Sequence, residues 1–301
     1  MTPSQIHLLP SLSVVDILGP DAAAILNNLT TNHVKSLEVG QGCESFVTNV
    51  RGKTLGHFHI FRRDDGFRLI GAAGLDEHRQ SETFATHADR YIIREDAAVT
   101  IRDADFVGFL FASRPSAPHE DPLTWWEGSL GEIPAETYRV RWLNDTSWLV
   151  LVARGELDAA LASVNEGLTT PLGDEASFHH ARTVAGYPWY GIDIDDSNLP
   201  QEINREDWTI SFNKGCYLGQ ETVARLDALG QVQKQRVRVS IEGTLPAAGA
   251  TLEAEGKTVL RLTSVTQVAE NQGLAIGFAR RTHFDPGATA EGVDCRATVI
   301  E

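Results

Sequence analysis

The segment Ser211-Phe212-Asn213-Lys214-Gly215-Cys216-Tyr217-Leu218-Gly219-Gln220-Glu221 brings a cation, a thiol, an amide and a carboxylate together in one short stretch. Glycines bracket Cys-Tyr-Leu, where positive φ and close backbone approach become available. A thiol beside Lys214 and backbone N–H groups has its thiolate favoured, as a redox or nucleophilic cysteine requires. The competing reading is a small buried hydrophobe, a common fate of free cysteine. His57-Phe58-His59 lies in a β-like run, so the two-residue period puts both imidazoles on one face. His33 or His179-His180 could complete a metal site, but neither HExxH nor paired CxxC occurs, and no metal is expected. Asp193, Asp195 and Asp196 resemble a calcium loop that lacks its glycine and terminal glutamate. The Gly71–Gly74 stretch has no GxGxxG or GxxxxGK, and no serine occupies a GxSxG elbow.

Elements that position these groups can be read from periodicity. Pro20-Asp21 opens a helix through Leu29, with Pro in the first turn and Asp at the positive end. Residues 44–50, 54–61 and 67–70 read as a three-strand meander around the Arg51-Gly52-Lys53 turn. Residues 75–90 read as a helix, 91–101 and 106–111 as strands, and the proline-rich 113–123 as a connection. A strand pair is expected around Asn144-Asp145, with helices over 156–165 and 174–185. From Gly186 to Asp207 periodicity stops, and the interleaved Tyr187, Trp189, Tyr190 and Trp208 mark an ordered, functional loop. Beyond Val232 come β-like runs with Gly-rich turns, read as a small antiparallel barrel or sandwich from residue 234.

The chain has 301 residues, 42% hydrophobic and 22% charged, an ordinary globular composition with room for about two domains. Its formal charge is −15, all of it in the first 230 residues, since residues 231–301 balance eight basic against eight acidic side chains. Such a field repels polyanions, which argues against nucleic acid and anionic membranes as direct partners. A local island with Lys214, Arg225, Lys234, Arg236 and Arg238 against Glu221 and Asp227 could attract an anionic tail. No apolar run approaches membrane-span length, no secretory signal is readable, and Cys43, Cys216 and Cys295 are too few for a disulfide framework. The expectation is a cytoplasmic protein.

Lys214 to Glu221, KGCYLGQE, resembles the signature of the YgfZ family, folate-binding relatives of the glycine-cleavage T-protein (aminomethyltransferase). Leu29-Thr30-Thr31-Asn32 and the meander around Arg51-Gly52-Lys53 resemble the N-terminal region of both groups. Arg182 with Gly186 and Pro188, then Gly191-Ile192-Asp193 and Leu199-Pro200-Gln201-Glu202, resemble their central loop. Gly230-Gln231-Val232 to Arg236 and Ala275-Ile276-Gly277 resemble the approach to a C-terminal barrel and its interior. The resemblance implies an α+β fold: a three-unit ring with two interleaved α+β units over residues 1–233, a C-terminal antiparallel β-barrel over 234–301, and a central folate pocket.

The T-protein branch has a catalytic aspartate where Gly56 and His57 stand here, a pterin-gripping glutamate at Val184 and an asparagine at Ala72. The resemblance therefore implies that these groups of the T-protein branch are lost here, as in the YgfZ branch, which is associated with iron–sulfur cluster assembly or repair, including enzymes of tRNA modification. It implies tetrahydrofolate or a derivative as cofactor, and iron–sulfur proteins or their assembly machinery as partners. Cys216 would be the reactive thiol and Lys214 its electrostatic neighbour. Gln220 and Glu221 would form a hydrogen-bonding frame, Arg182 and Glu202 would shape the pocket, and Arg236 would face the glutamate tail. The alternative is a tetrahydrofolate-dependent aminomethyltransferase or demethylase with its proton-transfer group re-sited to His57 or Asp193.

Overall fold

The computed structural model describes residues 6–75, 78–113, 123–166, 171–230 and 232–301. Two five-stranded antiparallel sheets and a closed six-stranded barrel account for nearly all of its strands. The first sheet runs in the order Ile6–Leu9, Phe106–Phe111, Ser147–Ala153, Ile133–Val140, Trp125–Leu130. The second runs Gly42–Thr48, Thr54–Arg62, Gly66–Ala72, Leu12–Leu18, Ala98–Ile101. The chain thus starts in the first sheet, crosses into the second at Leu12, and returns after Ile101, so the two α+β units are interleaved as expected. The barrel closes through Lys234–Gly243, Gln272–Arg280, Lys257–Ala269, Thr251–Ala254, Thr289–Gly292 and Cys295–Val299.

The meander shows how the period of two divides the core. On Thr54–Arg62, Phe58 and Ile60 point toward helices Ala22–Leu29 and Gln80–Asp89, in a core with Leu26, Leu69 and Phe84. Phe61 points the other way, into a core shared with Tyr138, Trp142, Phe178, Tyr187 and Trp189. That second core lies between the two sheets, at the centre of the molecule, and His57 and His59 share its face by alternation.

Several elements differ from expectation. Only Ala98–Ile101 of the predicted 91–101 strand pairs, because Tyr91 and Ile92 hydrogen-bond back to Ala88 and close the preceding helix. That helix covers Gln80–Asp89. Most of the predicted 113–123 connection lies outside the described residues. Strands Ile6–Leu9, Leu12–Leu18 and Trp125–Leu130 carried no expectation. No helix among the described residues is long and apolar enough to cross a membrane.

Candidate functional site

Three segments far apart in sequence meet at the KGCYLGQE motif. Helix Ala22–Leu29 ends in carbonyls that have no intrahelical partner. The buried Lys214 ammonium reaches this end of the helix and the residues after it, donating to Asn27 O (2.6 Å), Thr30 O (2.6 Å) and Asn32 O (2.8 Å), and lies over the Tyr217 ring at 4.8 Å. Burial pushes its pKa down to about 7, and the thiol acting on it is that of Cys43. Leu218 N–H adds a bond to Asn28 O (2.9 Å), and Thr48 Oγ1 donates to Leu218 O (2.6 Å). Gly219, at φ +80°, packs directly on the Arg51-Gly52-Lys53 turn; a Cβ there would stand 2.5 Å from the Gly52 Cα. Gly215 needs no positive φ, and a Cβ there meets nothing within 4 Å.

Cys216 is therefore an exposed thiol on a turn held between buried Lys214 and buried Tyr217. Cys43 and Cys295 are free too, but burial raises both thiols, Cys43 to about 12. Lys214 serves as a helix C-cap rather than as a charge directed at Cys216. Gln220 and Glu221 begin helix Gln220–Leu229, Glu221 at its positive end, and neither side chain makes a hydrogen bond or ion pair with any described residue. They form no hydrogen-bonding frame.

Arg182 and Arg236 are buried and bonded to the protein's own acceptors. Arg182 pairs with Asp193 Oδ2 (2.6 Å) and donates to His179, Ser264 and the Tyr187 carbonyl. Asp193 also accepts from Thr263, Ser264 and Trp189 N, so the pair sews helix Glu175–Ala185 and the aromatic loop to the barrel. Arg236 donates to Ile203 O (2.8 Å), Gly186 O (2.9 Å) and Asn204 O (3.4 Å), and the carboxylate it faces is that of Glu301 at 3.7 Å. Glu202 caps its own turn by accepting from Leu199 N (3.0 Å) and faces Lys234 at 3.5 Å. It lines a hollow of about 550 Å³ between the aromatic loop and the barrel, where Asp193, Asp195 and Glu202 confront Lys234, Arg261 and Arg280. Arg182, Arg236, Gln220, Glu221, His57 and Cys216 are not among its walls, so the expected site residues do not surround one cavity.

The group that sequence reasoning missed is at the centre of the ring. Glu44, with no exposed surface, stands opposite His59 in the register of Gly42–Thr48 and Thr54–Arg62, while Phe46 stands opposite His57. Its carboxylate takes His57 Nε2 at 2.7 Å and a two-pronged grip from Arg205, Nε to Oε1 and Nη2 to Oε2, both 2.7 Å. Although burial opposes the charge, Arg205 and the His57 hydrogen bond hold the carboxyl well below its usual range. His57 is sandwiched between Phe46 (4.7 Å) and Tyr187 (5.7 Å), and the Arg205 guanidinium lies 4.7 Å over the Tyr187 ring. His59 Nδ1 accepts from Trp142 Nε1 (3.2 Å), and burial drives its pKa down to about 3. The carboxylate positions of the T-protein branch, matched here by Gly56, His57 and Val184, carry no acid, and a carboxylate is supplied instead by Glu44 on the neighbouring strand. The signal was a glutamate two residues before Phe46 in a β-like run, a charge on an apolar face. Among the described residues no cluster of three or more His, Cys, Asp or Glu could hold a metal.

No family model matches the chain. It is 26% identical to the tRNA-modifying protein YgfZ of Vibrio vulnificus, covering 82% of this chain and 74% of that one. With the YgfZ of Sodalis glossinidius the figures are 27%, 83% and 76%. A putative chloroplastic transferase of Arabidopsis thaliana is 24% identical over 95% of this chain and 68% of its own. Among solved structures, glycine cleavage system aminomethyltransferase T from Bartonella henselae superposes with a TM-score of 0.84 at 16% identity, covering all of this chain and 86% of that one. The chain is similar in sequence to the YgfZ tRNA-modifying proteins and has the fold of aminomethyltransferase T.

Proposed function

We propose that this protein is a folate-binding accessory factor that supports iron–sulfur proteins, including enzymes of tRNA modification, through Cys216. The observation that carries the reading is the contrast among the three thiols: Cys216 alone is exposed, and it projects from a turn fixed by the Lys214 and Gly219 contacts. A presented thiol on a rigid support suits transient contact with a partner's cluster or thiols. The partner residues for folate are at the ring centre. A pterin needs an acceptor for its adjacent N–H donors and aromatic surface for its rings; Glu44 is the acceptor, and the Tyr187 face that the Arg205 guanidinium covers is the surface. When bound, the folate would carry a one-carbon unit, and the chain's part is to hold and orient it.

Calorimetry with tetrahydrofolate, and complementation of an iron–sulfur enzyme's activity in cells lacking this protein, test the two halves. Binding that survives Cys216→Ser together with lost complementation is the expected result. Full complementation by Cys216→Ser would remove the thiol from the function.

One observation favours a second reading as a one-carbon transferase or demethylase. His57 Nε2 contacts a buried carboxylate at 2.7 Å, the arrangement that orients an imidazole for proton transfer. Formaldehyde or methylene-tetrahydrofolate release from small N-methyl amines, abolished in His57→Ala, would establish it.

A further inference from the structure

The Arg205 guanidinium is a flat, forked donor that is stacked on Tyr187 and paired through two N–H groups with a buried carboxylate. A 2-amino-4-oxopyrimidine ring has the same recognition features: a planar π-system whose edge carries adjacent N–H donors spaced for a carboxylate. We propose that Arg205 is a displaceable plug, and that Glu44 anchors a flat heteroaromatic ligand with an amidine-like edge, such as a pteridine. The ligand's identity rests on the folate reading above; the plug itself does not.

A plug needs somewhere to go. Arg205 borders a hollow of about 320 Å³ whose other walls include Glu206, Asp207, Trp208, Phe212 and Asp227. None of the three carboxylates makes an ion pair within 4 Å among the described residues, and burial raises the pKa of Glu206, with Asp207 adding to the rise and the more distant Arg236 opposing it. Phe212 is half exposed and gives a guanidinium a face to lie against, beside the half-exposed Trp208, whose ring already holds the Arg141 guanidinium at 4.0 Å. The Arg205 backbone carbonyl stays fixed by Trp208 N, Thr209 N and Thr209 Oγ1, so side-chain rotation alone moves the charge. Glu44 exchanges one planar donor for another, and Arg205 exchanges one carboxylate for several. Neither charge is left buried and alone, the outcome that would otherwise forbid the change. The two arrangements make a bistable element that a ligand biases through its differential affinity.

The test is calorimetry with tetrahydrofolate on four proteins: wild type, Asp207→Asn/Asp227→Asn, Arg205→Ala and Glu44→Gln/Arg205→Ala. The first double variant alters exposed side chains and leaves the ring centre intact. It should bind about 5-fold more weakly, because the displaced guanidinium loses its receiving charges. Arg205→Ala should bind about 10-fold more tightly, and adding Glu44→Gln should erase that gain. Affinities of the Asp207→Asn/Asp227→Asn and Arg205→Ala proteins equal to wild type would overturn the plug and leave the folate reading standing. Should none of the four bind tetrahydrofolate, the folate reading fails and the plug is read with methylguanidinium chloride. A melting temperature raised by that cation in Arg205→Ala, but not in Glu44→Gln/Arg205→Ala, supports the plug. No such rise overturns it.

Discussion

Arg205 and Glu44 are 161 residues apart and meet through two 2.7 Å hydrogen bonds in the plane of a guanidinium–carboxylate fork. The pair joins the loop that precedes helix Glu206–Thr209 to the meander, and His57 completes the carboxylate's shell. Removing the acid leaves a guanidinium that is 13% exposed with no anion in the ring centre. Glu44→Ala should cost about 3–5 kcal/mol, read from urea unfolding, since breaking a buried pair strands one charge. Loss of less than about 1 kcal/mol would mean that water already reaches the pair.

How far the sequence disclosed this site depends on separation along the chain. His57 and His59 were placed on one face by local alternation alone, and the structure keeps them there. The partners of His57 were not local: Glu44 depends on the register of two strands, and Arg205 on a loop that closes from the far side. The same holds for the motif. KGCYLGQE marked Cys216 by composition, but only the packing of residues 214–219 against the end of helix Ala22–Leu29 shows Lys214 as a cap. Ile6–Leu9 and Leu12–Leu18 were missed because Pro10-Ser11 splits two short runs that belong to different sheets. The barrel's strands were legible because three of its six pairings join neighbours in sequence, whereas the closure of Lys234–Gly243 onto Gln272–Arg280 and Cys295–Val299 is a distant pairing that no local pattern shows.

The thiols should separate kinetically. In the native protein one cysteine, Cys216, should react with a disulfide reagent, and all three should react in denaturant, because Cys43 and Cys295 are withdrawn by packing. Cys216→Ser should abolish the fast phase and shift stability by less than about 0.5 kcal/mol, as for an exposed side chain with no hydrogen-bond partner among the described residues. Two fast thiols in the native protein would contradict this assignment.

Acid should weaken the fold earlier than carboxylate titration alone would. Burial holds His59 at about 3 and His179 at about 4, while both would titrate near 6.5 in an unfolded chain. Between those values the unfolded state binds more protons, so stability is full above pH 6.5 and falls as pH drops toward 3–4. Each histidine contributes a slope of up to about 1.4 kcal/mol per pH unit in that window. Urea midpoints from pH 7.5 to 4.5 check the direction, and His59→Gln, which can still accept from Trp142, should flatten the curve. A midpoint that is constant down to pH 5 would show that His59 is reachable by protons in the fold.

The two glycines of the motif should respond oppositely to the same substitution. At Gly219 an added Cβ meets the Gly52 Cα at 2.5 Å and the Asn49 carbonyl at 2.6 Å, both backbone atoms that cannot rotate away, and φ is +80°. Gly219→Ala combines left-handed strain with overpacking and should cost about 2–4 kcal/mol. Gly215 has open space around it and an ordinary φ, so Gly215→Ala should change stability by less than about 0.5 kcal/mol. The comparison also isolates the role of the turn. If complementation falls in Gly219→Ala while tetrahydrofolate affinity holds, the effect lies in how Cys216 is presented, because Gly219 packs on the Gly52 turn rather than on the Glu44 cluster. If affinity falls in parallel, the motif and the ring centre act as one unit, coupled through Thr48 and the shared meander.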